Sequence, residues 1–174
     1  MGAVEGREGA GFPRWASPVS LAICFFGLGV AIYLTYEHYT SSKTLSCPAT
    51  GGAINCFKVT TSSYSMIHGV PVAVLGLVFF TVMIGLQNPI AWRSAHPAVI
   101  WGRLLWCLVG VGTAIWLIYA ELFKIQAICL WCTSVHVLSL LVFVTTAFAT
   151  ASREVDLGDE EETETSEAGH LAVP

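Results

Sequence analysis

The chain predicts an all-α integral membrane protein: a bundle of four transmembrane helices capped by an extracytoplasmic loop containing a short helix. Three observations lead there. Of 174 residues, 55% are hydrophobic and 11% charged, where an ordinary soluble domain carries about a quarter charged. Four apolar runs of about 20 residues follow one another, each long enough to cross a hydrocarbon core of about 30 Å. One sizeable polar loop separates the first two. A chain this apolar cannot cover itself with polar surface, so lipid is its expected solvent.

The charge is unevenly placed. Eight of the twelve acidic residues follow Arg153, whereas residues 1–152 carry seven basic and four acidic ones. The net −4 is therefore a property of the tail. No basic stripe suggests nucleic acid.

Residues 1–16 are Gly-rich and polar and are expected to be a disordered cytoplasmic tail. The first run, about 17–39, opens near Pro18. It exceeds a typical signal core and lacks a small-x-small cleavage site at its end, so it reads as a retained span. Residues 40–66 form the loop, rich in Ser, Thr and Gly, with a short helix expected near Ile54 to Thr60. The second run, about 67–87, has Pro71 in its first turn, where proline is tolerated. Gln87-Asn88-Pro89 ends it. The third run covers about 98–120, with Arg103 near its start and able to snorkel to the interface. Glu121 to Lys124 is expected as a very short turn. The fourth run covers about 125–150, and residues 151–174 follow as an acidic tail, expected to be disordered and cytoplasmic.

Four spans put both termini on one side. Arg7, Arg14, Arg93, Arg103 and Arg153 fall on that side, against Lys43, Lys58 and Lys124 on the other. The bias favours cytoplasmic termini, in a cell inner or plasma membrane. The loop 40–66 and the turn 121–124 then share the outer face. Cys47 and Cys56 lie in the first, and Cys129 and Cys132 open the helix after the second. Cys24 and Cys107 sit roughly 20 Å deeper and read as packing residues.

A Cys-x-x-Cys pair at a helix start has a chemical advantage. The i, i+3 spacing puts both sulfurs on one face. The helix N-terminus favours a thiolate, the species that attacks in thiol–disulfide exchange. A second pair on a loop can move between an external partner and the membrane edge. Two other uses of four cysteines remain open on this pattern. One is a structural zinc, although eight residues between Cys47 and Cys56 make a wide half-site. The other is a pair of static disulfides on an oxidising face. A haem attachment needs His at position 133, which is Thr133.

The order of these pairs resembles the vitamin K epoxide reductase family, bacterial type. Cys56-Phe57-Lys58-Val59-Thr60-Thr61-Ser62 resembles the family's second loop cysteine, followed six residues later by a serine. Ser63-Tyr64-Ser65, Gly69-Val70-Pro71 and Gly76 resemble the bacterial entry into the second span. Ala127-Ile128-Cys129-Leu130-Trp131-Cys132 resembles the active-site sequence. The resemblance covers about 17–150. Bacterial relatives often carry a fused thioredoxin-like domain, which this sequence does not show, so a separate thioredoxin-fold dithiol protein is the expected partner.

The resemblance implies a path for electrons. They enter from the partner at Cys47 of a Cys47–Cys56 pair. Cys56 exchanges with Cys129, and Cys132, beside a membrane quinone (menaquinone or ubiquinone), passes them on. The quinone carries the hard redox step. The net result is disulfide formation in exported proteins.

His136, four residues after Cys132 and on the same helix face, is a candidate hydrogen-bond donor to the quinone. An ionisable group inside a span is a functional candidate by default. Ser62 is a candidate for binding the quinone or fixing the loop. Glu37 and Glu121 sit at outer span ends, where interface solvation accounts for them. Trp131 reads as an interfacial anchor or pocket wall. His68 and Tyr64 are near enough to line the site, without a pattern assigning them a role. The second span, Gly69-Val70-Pro71-Val72, lacks the asparagine with which vertebrate enzymes hold the vitamin K head group. This favours the disulfide-forming role over epoxide reduction, which stays as the alternative enzyme. Leu130 replaces the family's usual proline, a change that bears on the pair's reduction potential.

Overall fold

The computed structural model describes residues 13, 15–40, 47, 52–94 and 96–171, with side chains to 152. The expectation of a disordered N-terminal tail falls almost wholly outside these residues, as do much of the loop 40–51 and the last three residues.

The chain is mostly helical, as expected. Helix α1 spans Ala16–Tyr39, α2 Cys56–Thr60, α3 Val72–Leu86, α4 Pro89–Arg93, α5 Pro97–Tyr119 and α6 Leu130–Leu171. Among the described residues, three helical stretches are long and apolar enough to cross a membrane: Ala16–Tyr39, Pro97–Ile125 and Leu130–Ser152. Their outward faces carry Phe25, Phe26, Ile32, Trp101, Leu105, Ile115 and Phe148, all exposed. Intrahelical hydrogen bonding satisfies the backbone, so such faces are compatible with lipid.

The expected second span is shorter than its apolar run. Helix α3 has 15 residues, about 22 Å at 1.5 Å per residue. The run's first residues form a hairpin instead. Strands β1 (Met66–Ile67) and β2 (Val70–Pro71) pair antiparallel, with Ile67 opposite Val70. His68 and Gly69, with φ of 49° and 83°, turn the chain between them. Positive φ at both central residues suits the twist of a two-residue hairpin.

Helices α1, α3, α5 and α6 pack around Cys24, Ala31, Phe79, Phe80, Met83, Cys107 and Val142. Cys24 and Cys107 are packing residues here, as expected. Two glycines allow the close approach: a Cβ at Gly27 would fall inside the Phe80 ring, and one at Gly110 inside the Phe79 ring.

One end of the bundle is tied by buried polar groups. Gln87 Nε2 donates to Thr146 Oγ1 at 2.7 Å, and the Ser17 hydroxyl donates to the Gln87 carbonyl at 3.0 Å. Arg103 does not snorkel as expected. It is buried, donating from Nε to the Leu86 carbonyl and from Nη2 to the Ala91 carbonyl, both at 3.1 Å. Its guanidinium lies 3.8 Å from the centre of the Trp92 ring. The unexpected α4, capped by Asn88 with Pro89 at its start, supplies both Ala91 and Trp92. The interior position is thereby matched by acceptors and an aromatic face.

At the other end, the expected turn 121–124 is helical. A π-helical turn, Ala120–Ile125, extends α5, and Gln126 ends it with a left-handed φ of 52°. Glu121 and Ile125 are buried, so the segment packs inward and the reversal moves to 126–129. The last helix therefore starts at Leu130 rather than 125. It also runs past 150 to Leu171, through the tail expected to be disordered. Glu and Ala are strong helix formers, and no proline interrupts the segment.

Candidate dithiol site

The loop cysteines are joined: Cys47 and Cys56 form a disulfide with Cα atoms 5.8 Å apart. Cys129 and Cys132 are free thiols, the first fully buried and the second half-buried. With two of the four sulfurs tied together, a four-thiolate zinc site is not what the arrangement offers.

Local structure explains how the pairs meet. Asn55 caps α2, its side chain accepting from the Lys58 N–H at 2.9 Å, which makes Cys56 the first helical residue. Just upstream, the Ile128 N–H donates to the Ala53 carbonyl at 2.8 Å, and the Asn55 N–H donates to the Ile128 carbonyl at 3.1 Å. This short parallel bridge holds the loop against the segment leading into Cys129. Cys56, Val59, Ile125, Ala127 and Cys129 form one buried cluster, with Cys47, Trp131 and Cys132 packed on it.

Cys129 stands at the head of α6. Its carbonyl accepts the Thr133 N–H at 2.9 Å, and its sulfur accepts the Cys132 N–H at 3.3 Å. The sulfur thus takes the place of a capping oxygen at a helix N-terminus. The Cys132 S–H, hydrogen-bonding that sulfur, holds the Cys129 thiol below its ordinary pKa against the upward push of burial. Cys129 precedes the membrane-crossing segment and is the better thiolate of the pair.

Behind the thiols lies a cavity of about 270 Å³, near the lower end of ligand pockets. Leu34, Leu75, Phe79, Trp106, Leu117 and Val135 give it apolar walls. Cys132, His136 and Ser62 reach it, as do Glu121 and Ser139. His136 is 6% exposed, and its Nδ1 has no hydrogen-bond partner among the described residues. Ser62 donates to the Val59 carbonyl at 2.8 Å and accepts from the Ser65 N–H through its own carbonyl, so it also shapes the loop. Tyr64 lines the cavity; His68 is not among its lining residues. Trp131 packs on Tyr33, with ring centres 5.0 Å apart, as a wall.

Sequence reasoning missed Glu121. It is buried, not solvated at an interface, and its Oε2 accepts the Cys129 N–H at 3.5 Å. Glu37 is buried too. The available signal was an ionisable residue at the end of an apolar run beside a Cys-x-x-Cys pair, the same argument that singled out His136.

A disulfide-bearing cap set over a helix-capping dithiol and an apolar cavity, on a bundle with membrane-length helices, defines a membrane protein built for thiol chemistry. The model of the vitamin K epoxide reductase family matches residues 18–147. The chain belongs to that family, whose members are membrane oxidoreductases. A search of the curated proteins finds no match.

Proposed function

We propose that this protein oxidises a thioredoxin-fold dithiol partner and delivers the electrons to a membrane quinone, supporting disulfide formation in exported proteins. Helix α3, lengthened by its hairpin, serves as the second of four spans. Both termini lie in the cytoplasm and the cysteine cluster lies at the extracytoplasmic face of an inner or plasma membrane. The arginine bias supports that orientation.

The observation that carries this reading is the shared burial of Cys56 and Cys129 in one cluster, with Cys132 reaching the cavity behind them. Cys47 takes the partner's thiolate, and the partner leaves as a disulfide. Cys56, released as a thiol, attacks Cys129 of a Cys129–Cys132 disulfide and frees Cys132. Cys47, freed when the partner's second thiol closes the partner's own disulfide, then attacks Cys56, which re-forms Cys47–Cys56 and releases Cys129 as a thiol. The second pair, now a dithiol, gives up two electrons and two protons as its S–S bond re-forms. A quinone, menaquinone or ubiquinone, supplies the acceptor chemistry by taking them. The cavity fits such a head group: its walls are apolar, and the His136 Nδ1, without a hydrogen-bond partner among the described residues, offers a hydrogen bond. Ser62 shapes the wall beside it.

The test is quinone reduction by purified protein with a reduced thioredoxin-fold donor. Wild type turns over and Cys132→Ala does not. Cys47→Ala fails with the protein donor and works with a small dithiol. Full turnover by Cys132→Ala overturns the scheme.

A further inference from the structure

We propose that Glu121 is the proton-holding group of the Cys129–Cys132 pair. It takes a proton from the pair when a thiolate forms and releases it when the disulfide closes. This rests on the reading of that pair as redox-active.

Three observations converge. Glu121 is only 5% exposed, although a carboxyl group is rarely buried without a task or a charge partner. Its Oε2 touches the Cys129 N–H at 3.5 Å, and the residue lines the same cavity as Cys132 and His136. It is also held there by an unusual backbone. The π-helical turn places it, and its carbonyl accepts from both the Gln126 N–H and the Ala127 N–H, the latter at 3.1 Å. Isolated π-helical turns concentrate at functional sites.

The surrounding groups leave the carboxyl as the natural proton store. Lys124, the basic residue nearest in sequence, is exposed, with its Nζ 6.0 Å from the centre of the Tyr119 ring. Of the other titratable groups lining the cavity, Cys132 and His136 come from α6, His38 from α1 and Tyr64 from the cap, while Cys129 stands just ahead of α6. Of these, the thiols are the groups that must lose protons.

In the dithiol state a proton moves from the pair to the Glu121 carboxylate, leaving a thiolate beside a neutral acid. Like charges at close range are thus avoided. When the S–S bond between Cys129 and Cys132 forms, two electrons pass to the acceptor. Two protons leave with them, one from the remaining thiol and one from the Glu121 carboxyl. Glu121 returns to a carboxylate, which the N-terminus of α6 favours.

Capping alone would explain a carboxylate at this position, so the test separates the two roles. Glu121→Gln keeps an oxygen for the Cys129 N–H and loses the proton. Infrared difference spectra between the dithiothreitol-reduced and oxidised protein, taken without quinone, are the first readout. Wild type gains a protonated-carboxyl band on reduction, and Glu121→Gln lacks it. Glu121→Asp keeps the band at a shifted position. In quinone turnover, Glu121→Gln lowers kcat about a hundredfold, the low end of the range for acid–base groups, with KM unchanged. A wild-type spectrum without the band, or identical in Glu121→Gln, overturns the proposal. A band present in a wild type that reduces no quinone supports the role of Glu121 while overturning the proposed acceptor. If Glu121→Gln does not fold, the wild-type and Glu121→Asp spectra decide, because the band must move between them.

Discussion

Ile54 pairs with Ile128 across a parallel bridge that ends one residue short of Cys129 and two short of Cys56. Two backbone hydrogen bonds, 2.8 and 3.1 Å long, set this register. The contact between cap and dithiol is therefore held by main chain, which side-chain substitutions nearby leave in place. It predicts which sulfurs meet.

With Cys47→Ala and Cys132→Ala together, Cys56 and Cys129 are the only thiols of the site. Mild oxidation joins them as a Cys56–Cys129 disulfide, seen by peptide mapping under non-reducing conditions. The matched variant, Cys56→Ala with Cys132→Ala, leaves Cys47 and Cys129 and cross-links at least tenfold more slowly. Equal rates would show that the bridge does not select the pair.

The Cys129 thiol is held below its ordinary pKa by the Cys132 S–H. A depressed pKa keeps a thiolate present at lower pH, and losing the donor moves ionisation upward. In protein carrying Cys47→Ala and Cys56→Ala, alkylation of Cys129 rises with pH along a thiolate curve. Adding Cys132→Ala shifts the midpoint to higher pH, whereas Cys132→Ser, which retains a donor, shifts it less. Mass spectrometry of the Cys129 peptide reads the extent. An unchanged midpoint in Cys132→Ala would assign the depression to the helix N-terminus alone.

Arg103 joins the end of α3 to α4 through two carbonyls in different directions. A lysine presents a point charge and cannot reproduce that planar fork. Arg103→Lys therefore lowers stability by about 2 kcal/mol, the scale of a lost hydrogen bond to a charged group, read as the thermal midpoint in detergent. The KM for quinone stays at the wild-type value, because Arg103 does not line the cavity.

Much of this was legible beforehand because it depends on local pattern. The long apolar runs mark α1, α5 and α6, and the Cys-x-x-Cys spacing at the edge of a run puts Cys129 at a helix head. The short helix expected near Ile54 to Thr60 is α2, at Cys56–Thr60. What escaped depends on partners distant in the chain. Arg103 is an interfacial cation by sequence, and only the carbonyls of Leu86 and Ala91, with the Trp92 ring, make an interior position stable. Glu121 and Lys124 read as a solvated turn because two charges interrupt an apolar run. The π-helical turn instead sends Glu121 inward and leaves Lys124 exposed. The short β1–β2 hairpin was hidden inside an apolar run, since periodicity does not separate a buried hairpin from the start of a helix.

Gly110 leaves room for the Phe79 ring, and both line the cavity. In Gly110→Ala the new methyl occupies ring space, and overpacking of this kind costs about 1–3 kcal/mol. The ring's escape is toward the cavity, so the KM for quinone rises while exchange between the partner and Cys47 keeps its rate. Steady-state kinetics with each substrate varied in turn separates the two. A raised KM for the protein donor instead would mean that the strain is transmitted to the cap.

His136 sets stability against function. Its Nδ1 is buried without a partner among the described residues, and an unsatisfied buried polar group costs about 1–3 kcal/mol. Replacing the imidazole by an apolar side chain of similar size removes that cost. His136→Leu is accordingly expected to hold or raise the thermal midpoint of the empty protein. The hydrogen bond proposed for the quinone disappears with it, so the KM for quinone rises about tenfold, as loss of one hydrogen bond to a bound ligand gives. His136→Gln retains a side-chain donor and recovers part of that loss. Quinone added to wild type raises the midpoint by mass action, and the same addition to His136→Leu raises it less. A purely structural histidine gives the opposite pattern: a lower midpoint in His136→Leu, with the quinone-induced shift intact.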